Sequence, residues 1–136
     1  MELTLKNYNI YSMIVLAPIS VGELIDKITI LRIKAILITD PVKLKNVDNE
    51  MYQLETILSE LKLDLDLSDL EAQLEAVNLE LWHIENYKRS CEKDQNFDDG
   101  FVNAARQVYL KNDIRASIKK QINVLVGSTI VEEKSY

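Results

Sequence analysis

The chain has 136 residues, 47% of them apolar, which is enough to bury a core in one domain and argues against disorder. Its formal charge of −6 disfavours nonspecific binding to nucleic acid or to an anionic membrane. A single cysteine, Cys91, excludes an intrachain disulfide and a cysteine zinc cluster, and a cytoplasmic setting is the expectation.

Only three Gly and two Pro occur, so few tight turns can be placed. Long helices joined by short connections fit that scarcity; a sandwich of many short strands does not. The first residues, 1–12, form a poorly patterned extension, and 13–136 read as a single helical domain. Met13 is as good a candidate for the start as Met1. The apolar run Met13–Ile19 is too short to span a membrane and contains Pro18.

Ser20 and Glu23 have capping-box spacing. From there Val21, Leu24, Ile28, Leu31, Ala35 and Ile38 step by three and four, the period of a helix with one stripe against a partner. Asp40–Pro41 ends that helix and starts the next. The second helix carries Leu44, Val47, Met51, Leu54, Leu58 and Leu61. Lys62–Leu67 alternates charge with leucine but lacks β-branched residues, and reads as a connection.

Ser68 and Glu71 repeat the capping-box spacing. A third helix follows, with Leu70, Leu74, Val77, Leu81 and Ile84, to about Lys93. The fourth runs from about Asp99 to Val126 and stops at Gly127. The expected architecture is all-α, an antiparallel four-helix bundle of coiled-coil-like helices. Ile14–Leu16 and Thr129–Val131 are β-like, and meet at one end of such a bundle as a candidate two-stranded pairing.

The third and fourth helices carry polar residues within their apolar stripes. Asn78 and Glu85 align with Leu74 and Leu81; Asn112, Arg115 and Lys119 align with Phe101, Val108 and Ile122. An antiparallel hairpin turning near Gln95–Phe97 sets Asn78 beside Arg115. Glu85 lies about 10 Å along the axis from Arg115, at the limit of an arginine's reach, with Asn112 between them and Trp82 on the flank. Asn78, Trp82, Glu85, Asn112, Arg115 and Lys119 are therefore the candidate binding cluster. A hydrogen-bond network fixing helix register ranks first, and a pocket for a small anion with Arg115 and Lys119 as donors ranks second.

Other features carry less. Glu23 and Asp26 with Glu80 and Glu85 echo the paired carboxylates that hold Mg²⁺ in all-α nucleotide pyrophosphohydrolases. Glu23 and Asp26 project away from the Leu24–Ile28 stripe, however, and Glu80 lies off its own stripe, so no metal is expected. His83 lies opposite the third helix's stripe, with no triad or zinc set beside it. Cys91 reads as a small core residue. No glycine-rich phosphate loop exists, and no cofactor is expected. The polar tail Glu132–Tyr136 reads either as a docking peptide or as a frayed terminus.

VGELIDKITIL at 21–31, LW-x-IE at 81–85, ND-x-RA-x-IKK-x-IN at 112–123 and the closing VEEKSY resemble a family of small bacterial proteins that carries a domain-of-unknown-function label. The resemblance runs from about Met13 to Tyr136. It implies a compact bacterial protein and assigns no substrate or catalytic residue.

Taken together, these features read as a non-enzymatic interaction or scaffold protein that self-associates, with room for another protein partner. Helix one suggests the contact. Beyond its main stripe, Ile30, Ile33 and Leu37 project from the other side, and a helix apolar all round must be covered on every side. The rival reading is a small anionic-ligand binder or an enzyme built on the cluster between helices three and four.

Overall fold

The computed structural model describes residues 13–130 and 132–135. It holds four helices: α1 (Val21–Leu37), α2 (Pro41–Glu60), α3 (Ser68–Asp94) and α4 (Asp99–Val126). The all-α expectation is met, and α3 and α4 form the long hairpin expected from the turn between them.

Each helix starts where a side chain can satisfy its free amide groups. Ser20 Oγ accepts from the Glu23 N–H at 3.1 Å. Asp40 accepts from the Val42 N–H at 2.9 Å, with Pro41 opening α2. Asp98 accepts from the Gly100 N–H at 3.0 Å. At α3 the cap is shifted: Ser68 is already inside the helix, and Asp66 Oδ1 takes the Ser68 N–H at 2.9 Å. Gly127, at φ +70°, ends α4 in the left-handed region that glycine occupies without strain.

The central element is α1, which packs against α2, α3 and α4, whereas α2 leans on α1 alone. The arrangement is thus an α1–α3–α4 core with α2 laid on the far side of α1. Ile25, Leu74, Val77, Ile118 and Ile122 meet at its centre, closed at one end by Leu67. Arg32 tethers the layers, with Nη1 2.5 Å from Glu71 and Nε 3.7 Å from Glu55. Burial, the largest single influence, opposes its charge, but the hydrogen bond to Glu71 and the charges of Glu71, Glu55 and Glu75 together outweigh it and raise its pKa.

One expectation is corrected here, and a second is narrowed. Among the described residues there is no strand: Ile14–Leu16 and Thr129–Ile130 are non-helical and unpaired in a sheet, and Val131 lies outside the described residues, as does the extension 1–12. The apolar residues of α1 outside its main stripe are covered unevenly, and Ile36 is 79% exposed. Ile33 is 4% exposed and Ile30 half-buried, so of the expected subunit contact only Leu37, at 39%, keeps real surface.

Candidate functional site

The second face of α1 reads Gly22, Asp26, Thr29 and Ile33, steps of four, three and four that turn these residues toward α3 and α4. Asp26 is wholly buried there. Its Oδ1 accepts from Arg115 Nε at 2.9 Å and its Oδ2 from Arg115 Nη2 at 2.5 Å, a two-pronged pair joining α1 to α4. Asn78, on α3, donates through Nδ2 to Asp26 Oδ1 at 2.9 Å and to Thr29 Oγ1 at 3.0 Å. Thr29 in turn donates to the Asp26 carbonyl at 2.7 Å, and Arg115 Nη1 reaches Asn112 Oδ1 at 3.3 Å. The bond with Asp26 raises the Arg115 pKa against the opposing effect of burial.

One turn further along α4, Lys119 extends between Glu23 at 2.7 Å and Glu132 at 2.8 Å. Burial disfavours its charge, but the two carboxylates more than offset this and its pKa is raised. Glu132 belongs to the segment after α4, and Lys134 beyond it lies 3.6 Å from Asp113. Residues 132–134 therefore fold back along α4 as a docked strap. At the last turn Asn123 Oδ1 accepts the Gly22 N–H at 2.7 Å, where α1 comes so close that glycine alone fits.

Of the six cluster residues expected from the sequence, Asn78, Asn112 and Arg115 come together, with Lys119 beside them. Their anchor is Asp26, which the stripe argument placed on the outside. The physical cause is that α1 also packs its second face on α3 and α4, and the polar residues on that face are buried with it. Glu85 is not the arginine's partner; its Oε1 lies 3.5 Å from Lys88. It instead lines, with Trp82, Arg89 and Ile30, a cleft of roughly 380 Å³ whose floor is Asn78 and Arg115. On the other side of Arg115, Asn112, Lys119, Glu132 and Lys134 line a second cleft of roughly 280 Å³ between α4 and the tail.

Chemically the arrangement is closed. Among the described residues no buried side-chain nitrogen or oxygen lacks a hydrogen-bond partner. No group of three or more His, Cys, Asp or Glu side chains among them stands ready to hold a metal ion. His83 is exposed and Cys91 buried, and no helix is long and apolar enough to cross a membrane among the same residues.

The fold and this interior layer define an all-α protein whose three core helices are locked by a buried Asp–Arg–Asn network. The chain belongs to a family of unknown function, DUF6165, whose model matches residues 15–136. No curated protein and no solved structure matches it.

Proposed function

We propose that the chain is a non-enzymatic helical module that works through protein–protein contact, association with its own copies first. The observation supporting this is the state of Arg115. Its Nε and Nη2 are spent on Asp26 and its Nη1 on Asn112. A ligand or catalytic site keeps donors aimed at the space its substrate will fill, whereas here each guanidinium nitrogen already holds an acceptor within the chain. The test is mass in solution: light scattering on the purified protein should report more than the 15.7 kDa of one chain. A single-chain mass at high micromolar concentration overturns the reading.

A second reading, a small anionic ligand, draws on the two clefts that meet at Arg115, since Trp82, Arg89 and Lys134 line them outside the network. Thermal melts against inorganic phosphate, nucleotides and carboxylates test it. A rise in Tm with one of these anions, absent in Arg89→Gln and Lys134→Gln variants, would favour it over self-association as the primary activity.

A further inference from the structure

The outward face of α4, opposite α1, follows a heptad of its own. Gln107, Leu110, Ile114, Ser117, Gln121 and Val124 step by three and four without a charged residue. Leu110 is 41% exposed, Ile114 47% and Val124 71%, so among the described residues the aliphatic members are left largely uncovered. In a chain that is 28% charged, this outer stripe of α4 carries no charge along its length. Beside it, the positions of α3 turned away from Asn78 are Ala76, Glu80, His83 and Tyr87, all exposed, and the one carboxylate among them, Glu80, is held by Lys111 of α4 at 2.5 Å.

We propose that this face of the α3–α4 hairpin is the interface with a second copy of the chain, the two α4 helices crossing antiparallel about a two-fold axis near Ile114–Ser117. The proposal rests on the self-association reading above and names its surface.

Area supports it. A helix of 28 residues is about 42 Å long. Two helices side by side then offer a face of about 800 Å², the amount each partner buries in a standard stable interface. Shape supports it as well. Antiparallel layering sets Ile114 against the partner's Ser117, Leu110 against the partner's Gln121 and Val124 against the partner's Gln107, so each aliphatic group meets a small or uncharged polar one. A hollow of roughly 350 Å³ lined by Ser117, Lys120, Gln121, Val124 and Leu125 lies on this stripe, where the isoleucine would seat.

Charge chooses the direction. In the antiparallel pairing Lys120 flanks the seam at the level of the partner's Asp113, which is 54% exposed and already 3.6 Å from Lys134. A parallel pairing would set Lys120 and Asp113 against the partner's Leu125 and the partner's Ile118 instead. It would turn Arg106 toward the partner's Lys111, whose charge Glu80 already answers, so no opposite charges would meet across the seam.

The experiment combines light scattering with cysteine cross-linking in a Cys91→Ala background. The wild type should run as a dimer, and Ile114→Glu should weaken it roughly a hundredfold or more, because symmetry places the charge in the seam twice. Ser117→Arg serves as a second variant, and circular dichroism should show both still helical, since neither site is buried. Ser117→Cys should cross-link through a short bismaleimide, and Val124→Cys should not, since antiparallel helices carry the latter pair far apart. A dimer indifferent to both Ile114→Glu and Ser117→Arg overturns this surface and leaves self-association standing. Efficient cross-linking of Val124→Cys overturns the antiparallel arrangement. A wild-type monomer overturns surface and reading together.

Discussion

Asp26 and Arg115 stand 89 residues apart in sequence, yet two hydrogen bonds, at 2.9 and 2.5 Å, join the wholly buried carboxylate to the guanidinium. The pair is asymmetric, because 28% of the arginine side chain still meets water while none of the aspartate does.

That asymmetry orders the cost of breaking it. Arg115→Met leaves a carboxylate in the interior with only Asn78 to answer it, and should cost about 3–5 kcal/mol. Asp26→Asn leaves a cation that can swing toward solvent and keeps an acceptor for Asn78, and should cost about 2 kcal/mol less. Urea unfolding of the two variants measures the difference. Equal losses would mean that the arginine is as trapped as the aspartate.

Glu85 makes a contrasting case. Its carboxylate lies beside Lys88 and not beside Arg115. In a double-mutant cycle Glu85→Gln and Arg115→Met should be additive within about 0.5 kcal/mol, while Asp26→Asn and Arg115→Met should couple by about 1 kcal/mol or more. A large Glu85–Arg115 coupling would contradict the geometry.

Why the sequence pointed to the arginine but not to its partner follows from periodicity. The stripes of α3 and α4 are narrow, so Asn78, Asn112 and Arg115 stand out as polar residues on an apolar line. In α1 the apolar residues run nearly all round, and a single stripe through Leu24 and Ile28 leaves Asp26 apparently outside. The row Gly22–Asp26–Thr29–Ile33 was equally periodic and was the available signal. The same all-round pattern suggests a subunit contact, because an up-and-down bundle leaves one face of every helix open. Placing α1 between α2 and the α3–α4 hairpin covers Ile33 and half-covers Ile30, while Ile36 and Leu37 stay exposed at its end. Helix ends were easier, since Ser20, Asp40 and Gly127 act through local chemistry alone. The Glu132 contact with Lys119 depends on the tail folding back, for which no local rule exists.

Gly22 should resist even the smallest side chain. A Cβ there would lie 2.6 Å from the Lys119 carbonyl oxygen and 2.8 Å from Asn123 Oδ1, and the first of these is backbone. At an open helical position Gly→Ala gains up to about 1 kcal/mol. Here the overlap pushes α1 off α4 and stretches the Gly22 N–H bond to Asn123, so Gly22→Ala should lose about 1–3 kcal/mol net. Thermal unfolding reads the sign directly, and a stabilised variant would show that the two helices are not held this closely.

The docked tail should come free in acid. A hydrogen bond from Lys119 holds the Glu132 pKa below its ordinary 4.5, against a smaller opposing effect of burial. For an acid depressed in the folded state, the stabilisation is fully present above the ordinary value and is lost as pH falls through the folded one. Lys119 has the opposite sign: its raised pKa keeps its contribution intact below 10.5 and loses it only above that value. The tail should therefore stay docked across neutral pH and release only below the usual glutamate range. Half of the Glu132 side chain meets solvent, so the effect on global stability is small and a local probe is needed. An NMR titration of the Glu132 carboxyl carbon should give a midpoint below that of the same residue in the urea-unfolded chain. In Lys119→Gln the midpoint should return toward the unfolded value, because the donor that favours the charged form is gone. A wild-type midpoint equal to that of the unfolded chain would mean that Glu132 does not hold the strap in solution.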